Sequence, residues 1–75
     1  MNTAFDNFPG LVKMVRSQLG ISQEELAREL RVSFATVNRW ENGKVKPSKM
    51  ARTVFRAFCQ SMVQANKLNL PGVEL

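Results

Sequence analysis

Residues 22–44 read SQEELARELRVSFATVNRWENGK, and this stretch predicts two short helices joined by a sharp turn. Ser22 is followed three residues later by Glu25, a capping box in which the two side chains satisfy two backbone N–H groups at the start of a helix. A narrow apolar stripe then continues as far as Leu30. We therefore expect the first of these helices to begin after Ser22 and to end near Leu30.

The second helix begins almost at once. Ser33 is a favourable N-cap residue, and Gly43 supplies the left-handed conformation that commonly ends a helix. The predicted helix therefore covers about residues 34–42. Only two residues, 31 and 32, separate its cap from the preceding helix, so the chain has to turn sharply between them.

The second helix has two different faces. At about 100° per residue, Val37 and Trp40 fall on one side, which we assign to the core, and Glu41 lies near that side. The opposite side carries Phe34, Ala35, Asn38, Arg39 and Asn42. Hydrogen-bonding groups beside a ring and a methyl are suited to base edges and thymine methyls in a DNA major groove. The alternative is a solvated helix face without a partner.

Working outward, the rest of the chain also predicts helices. Apolar residues at helical spacing indicate a helix over about residues 9–19, and Ser48 caps another in which apolar residues recur from Met50 to Met62. Strand signals are absent. We predict an all-α fold, a compact bundle of about four helices, in one domain over residues 1–75 with a motif core at 22–43. From about residue 66 the tail is expected to be weakly ordered.

The composition favours a polyanionic partner. Eleven Lys and Arg against six Asp and Glu give a formal net charge of +5 and a pI near 10.2. Such a balance is typical of nucleic-acid binding, although a soluble surface can also be basic without one.

Catalysis finds little support in the sequence. The chain has no His and no Tyr, and its one cysteine, Cys59, leaves no second thiol for a disulfide or a metal pair. We expect no enzymatic activity, no catalytic residues, no metal and no cofactor. The N-terminal residues lack the pattern of a signal peptide, and no apolar run is long enough to span a membrane. We therefore expect a cytoplasmic protein.

Residues 18–48, QLGISQEELARELRVSFATVNRWENGKVKPS, resemble the helix-turn-helix of the phage-repressor family, the lambda-repressor-like or Cro-type proteins. The order and spacing of Gln23, Ala27, Val37 and the closing Glu-Asn-Gly-Lys carry the resemblance. It implies sequence-specific binding of double-stranded DNA by a transcriptional regulator, a repressor, that acts as a homodimer on a palindrome with half-sites about 34 Å apart.

The resemblance also implies roles for single residues. The positions that read bases in the family are occupied by Phe34, Ala35, Asn38 and Arg39. The positions that contact phosphates are occupied by Gln23, Ser33, Asn42 and Lys44, with Lys46 as a further candidate. Because Phe34 cannot donate a hydrogen bond, we expect it to contact a thymine methyl, or alternatively to pack as a peripheral core aromatic.

Two further positions follow from the resemblance. Arg16 matches an arginine that pairs with the glutamate at the end of the recognition helix, here Glu41, unless the two are unrelated surface charges. Arg31 stands where the family often has glycine in a left-handed turn, and a side chain there costs on the order of 1 kcal/mol.

Other functions remain open at this point. The same fold could serve an antitoxin that represses its own operon, or an adaptor that binds another protein. The last helix carries Lys49, Arg52 and Arg56 on one face, which either approach the DNA backbone or are simply solvated. Its apolar stripe is either core or, in part, a dimer surface.

Overall fold

The computed structural model describes residues 4–71 and 73, which form one 3-10 helix, four α-helices and no strand. The 3-10 helix, Ala4–Asn7, leads directly into α1, Phe8–Leu19. The remaining helices are α2, Gln23–Leu30, α3, Phe34–Asn42, and α4, Lys49–Gln64. The predicted all-α fold is confirmed. The short 3-10 helix was not among the predicted elements.

Serine side chains define the starts of three helices. Ser22, Ser33 and Ser48 each accept a hydrogen bond from the backbone N–H three residues later, at 3.0, 3.1 and 3.1 Å. At α2 the Glu25 carboxylate accepts the Ser22 N–H at 2.9 Å, which completes the predicted capping box. Caps of this kind stabilise a helix by about 1 kcal/mol each. They explain why the starts of α2, α3 and α4 could be read from the sequence.

Left-handed residues end the first three helices. Gly20 and Gly43 have φ values of 66° and 71°, and Arg31 has a φ of 58°. In the turn after α2, the Arg31 and Val32 N–H groups donate to the Arg28 and Ala27 carbonyls, at 3.2 and 3.0 Å. The non-glycine residue thus adopts the left-handed conformation expected at this position, and the chain passes from α2 to α3 in three residues.

The core is built from one face of each α-helix. An aromatic cluster lies at its centre, where the Phe8 ring packs edge-on against Trp40 and Phe55, with both centroid distances 5.2 Å. Trp40 is 3% exposed and Val37 is fully buried, as predicted for the inner side of α3. Burial of two such side chains contributes several kcal/mol and holds α3 in one orientation. The other buried apolar residues are Leu11, Val12, Val15, Leu26, Ala27, Leu30, Cys59 and Leu68.

The apolar residues of α4 divide between core and surface. Phe55 and Cys59 are fully buried, and Phe58 packs at the edge of the core. By contrast, Met50 is 78% exposed and Val54 is 40% exposed. The stripe that begins at Met50 therefore lies partly on the outside of the protein.

The described tail is held to the rest of the protein at Leu68 and Asn69. Leu68 is 5% exposed and belongs to the core. The Gln18 amide donates to the Asn69 carbonyl at 2.9 Å, and its oxygen accepts the Asn69 N–H at 2.8 Å. Residues 72, 74 and 75, which the expectation of a weakly ordered tail included, lie outside the described residues.

Candidate nucleic-acid interface

The outer face of α3 presents three of the predicted base-reading residues to solvent. Phe34 is 48% exposed and lies outside the buried core, and Ala35 and Arg39 are exposed as well. An arginine can donate two hydrogen bonds to guanine, while a ring or methyl group can contact the thymine methyl. The exposed face therefore carries the kinds of groups that contact base edges and thymine methyls. The buried Val37 and Trp40 on the opposite side leave the helix little freedom to rotate.

Positive charge follows directly after α3. Lys44 and Lys46 are both exposed in the loop between α3 and α4. Between Asn42 and Val73 the sequence has no Asp or Glu, and its cations are Lys44, Lys46, Lys49, Arg52, Arg56 and Lys67. All the acids except Glu74 precede this segment. The charge asymmetry thus places a run of basic residues directly after the exposed helix.

Arg16 and Glu41 form a bidentate ion pair between α1 and α3. The Arg16 Nε donates to one carboxylate oxygen at 2.6 Å, and Nη2 donates to the other at 2.9 Å. The remaining Nη1 donates to the Ile21 carbonyl at 3.1 Å. Hydrogen bonding from Arg16 holds the pKa of Glu41 below its ordinary value, although burial acts in the opposite direction. The pair joins α1 to the end of the exposed helix.

Three amide side chains form a row from α2 to the end of α3. Asn38 Nδ2 donates to Gln23 Oε1 at 3.1 Å, and Asn42 Nδ2 donates to Asn38 Oδ1 at 2.9 Å. Gln23 also contributes to lowering the pKa of the Glu41 carboxylate, less than Arg16 does. We call Gln23, Asn38 and Asn42 the amide chain. It connects two predicted phosphate-contacting residues through a predicted base-reading residue.

The amide chain could not be read from the sequence. The spacing of Asn38 and Asn42 does place them one helical turn apart on the same face. The contact with Gln23, however, depends on how closely α2 crosses α3, which no local pattern specifies. Ser33, the other predicted phosphate contact near this point, uses its side chain to cap α3 and shares a 2.8 Å hydrogen bond with the Thr36 hydroxyl.

The cations on α4 have different environments. Lys49 and Arg52 are exposed, whereas Arg56 is partly buried with its guanidinium carbon 5.4 Å from the centre of the Phe5 ring. This cation–π contact is worth about 0.5–1 kcal/mol at a surface site. Arg56 thus packs against the N-terminal 3-10 helix, and Lys49 and Arg52 are the α4 cations that lie nearest in sequence to the basic loop.

Neither a metal-binding group of side chains nor a membrane-spanning helix is present in the part of the chain that the structure describes. Among residues 4–71 and 73, no three His, Cys, Asp or Glu side chains are grouped so that they could hold a metal ion. None of the described helices has both the length and the hydropathy needed to cross a membrane.

Comparison with known proteins gave one match. A family model described as helix-turn-helix matches residues 12–50, which is 39 of the 75 residues and includes most of α1, all of α2 and α3 and the start of α4. No curated protein and no solved structure matched the chain.

Proposed function

Because the chain belongs to the helix-turn-helix family of the lambda-repressor-like, Cro type, a family of DNA-binding proteins, we propose that it binds duplex DNA sequence-specifically and represses transcription. The recognition element is α3, which enters the major groove with its outer face towards the bases. Occupation of a promoter by the bound protein would exclude the polymerase. No enzymatic step is required.

One observation carries the proposal. An exposed helix face with Phe34, Ala35 and Arg39 stands opposite two buried residues that hold α3 in place. A helix that is free to rotate loses specificity, because the geometry of its contacts is not maintained. Here the buried Val37 and Trp40 keep α3 in one orientation. Arg39 can then donate hydrogen bonds to guanine, and Phe34 and Ala35 can contact thymine methyls.

Phosphate contacts would position the protein without selecting a sequence. We assign this role to Lys44 and Lys46 in the basic loop, and to the side chains of Gln23, Ser33 and Asn42. The N-termini of α2 and α3 add oriented N–H groups that favour anions. These contacts supply affinity that falls steeply with salt, because each neutralised phosphate releases counterions.

The functional form in this proposal is a cytoplasmic homodimer. Two copies related by a two-fold axis would bind half-sites about 34 Å apart, one helical turn of DNA. The exposed Met50 and Val54 on α4 support the idea of a second copy, because large apolar side chains at the surface are stabilised when a partner covers them.

Two alanine variants test the division of roles. Arg39→Ala should relax base preference at one position of the binding motif. Lys44→Ala should weaken binding to all duplexes to the same extent and reduce the slope of log affinity against log salt by about one. Binding to a panel of duplexes at several salt concentrations measures both. Identical effects of the two variants on preference and on salt slope would contradict the assignment.

A second candidate function is a protein-binding adaptor, which the 78% exposure of Met50 favours. An adaptor would show little preference among duplex sequences. Met50→Ser would then abolish capture of the protein partner and leave any residual DNA binding unchanged. In the proposed repressor, the same variant would instead weaken dimerisation and the cooperative occupation of paired half-sites.

A further inference from the structure

The arrangement of the amide chain changes the role of one residue on the exposed face of α3. We propose that Asn38 is a positioning residue, which holds the amides of Gln23 and Asn42 for contact with DNA phosphates and does not itself read a base. This inference rests on the proposed function, because it concerns contacts with DNA. Base reading is then left to Phe34, Ala35 and Arg39.

The amide chain runs from Gln23 through Asn38 to Asn42. Gln23 presents its side-chain oxygen to Asn38. Asn38 therefore donates through Nδ2 to Gln23, at 3.1 Å. Its oxygen is left to accept from Asn42 Nδ2, at 2.9 Å. The two hydrogen bonds thus fix the orientation of the three amides relative to one another.

These hydrogen bonds compete with base reading by Asn38. An asparagine recognises adenine by giving one donor and one acceptor to the same base edge. In Asn38 both the nitrogen and the oxygen already have partners within the protein, and the side chain is partly buried while Ala35 and Arg39 beside it are exposed. Each of these two atoms keeps room for one further hydrogen bond, but the two internal bonds fix the plane of the amide, so a base edge would have to match that fixed orientation or displace them.

The amide chain leaves N–H groups free to donate hydrogen bonds to DNA phosphates. Each amide nitrogen carries two hydrogens, and the chain uses one from Asn38 and one from Asn42. The second hydrogen on Asn42, which is exposed at the outer end of the chain, remains available to a phosphate oxygen. Because Asn42 Nδ2 is held by Asn38, it is presented in one orientation, and less conformational freedom is lost on binding.

The test compares Asn38→Ala with Arg39→Ala, its neighbour on the same face. Binding of each variant to a library of duplexes gives both the overall affinity and the preference at every base position. We expect Asn38→Ala to weaken binding about three- to tenfold for all sequences, as loss of one net hydrogen bond predicts, with the preferences unchanged. Arg39→Ala should change the preference at one position. A changed base preference in Asn38→Ala would overturn the proposal.

A double-mutant cycle provides the second measurement. If Asn38 acts through Asn42, the variant lacking both side chains should bind about as tightly as Asn38→Ala alone, because the second change removes an amide already misplaced. Gln60→Ala, which removes an exposed amide from α4, is the control. Combined with Asn38→Ala, it should cause no further loss of affinity for DNA. Full additivity of the Asn38 and Asn42 effects would show that Asn38 does not position Asn42, and the proposal would fail.

A readout without DNA separates this inference from the proposed function. The side-chain amide NMR signals of both Gln23 and Asn42 should shift in Asn38→Ala. Unchanged signals would contradict the hydrogen bonds that define the amide chain. If the wild-type protein binds no duplex, the proposed function and the DNA role of Asn38 both fail. If it binds selectively and Asn38→Ala alters the selection, only the inference about Asn38 fails.

Discussion

Replacing Glu41 with glutamine would test how strongly the ion pair holds α1 and α3 together. Glu41 is 5% exposed and receives two hydrogen bonds from Arg16, at 2.6 and 2.9 Å. A glutamine can accept only one of them, because its nitrogen would face an arginine donor. A hydrogen bond between charged groups contributes about 1.5–3 kcal/mol. Loss of a fully buried partner costs about 3–5 kcal/mol, but the Arg16 side chain is 24% exposed and stays partly hydrated.

We therefore expect Glu41→Gln to lower the free energy of unfolding by about 2–3 kcal/mol near neutral pH. A domain of this length has a total stability of about 4–11 kcal/mol, so the loss is a substantial fraction of the whole. The melting temperature should fall by about 8–20 °C.

The effect should depend on pH in a definite direction. The pKa of Glu41 is lowered in the folded protein, chiefly by hydrogen bonding from Arg16. A carboxyl group with a lowered pKa stabilises the fold above its unfolded pKa, about 4.3, and loses that contribution as pH falls through the folded value. The difference in free energy of unfolding between wild type and Glu41→Gln should therefore be largest at pH 6 and shrink progressively below about pH 4.

Urea unfolding followed by Trp40 fluorescence at several pH values measures this difference. Glu29→Gln, which removes an exposed carboxylate from α2, is the control and should change stability by less than about 0.5 kcal/mol. The reasoning about the ion pair would be refuted if Glu41→Gln cost no more than the control. It would also be refuted if the loss were as large at pH 3 as at pH 6.

Four further predictions concern stability and reactivity. Gly20→Ala should destabilise by about 1 kcal/mol in urea unfolding, because φ is 66° while no atom lies within 4 Å of an added Cβ. Arg31→Gly, at a φ of 58°, should instead not destabilise, and a loss above about 1 kcal/mol would contradict the strain assigned there. Leu68→Ala should cost about 2–4 kcal/mol if the tail packs as firmly as its 5% exposure indicates, and a loss below about 0.5 kcal/mol would show that it does not. Cys59 is fully buried, which raises its thiol pKa to about 12, so alkylation at pH 8 should proceed only as fast as the protein unfolds. Rapid alkylation of the folded protein would contradict this.

The boundaries of α2 and α3 could be predicted from the sequence because local chemistry sets them. Ser22 and Ser33 cap the two helices, and Gly43 ends the second, each through contacts within a few residues. The division of α3 into a buried and an exposed side followed from helical periodicity in the same way. Such features do not depend on how distant parts of the chain pack.

Features that depend on packing between helices were harder to predict. Periodicity alone did not show which apolar residues of the α4 stripe face inwards, and the structure buries Phe55 and Cys59 while Met50 remains exposed. The contact between Gln23 and Asn38 likewise depends on the crossing of α2 and α3. The ion pair of Arg16 with Glu41 was expected only through the family resemblance, since 25 residues separate the partners.

Selection of bound duplexes from a random DNA pool, at near-physiological salt and followed by sequencing, tests the central claim most directly. The pool should be exposed to protein whose folding has been verified by circular dichroism. The proposed repressor should enrich a palindromic motif with two half-sites about one helical turn apart. If the folded protein enriches no motif, α3 does not read DNA sequence by itself, and the claim of sequence-specific binding by this chain is contradicted.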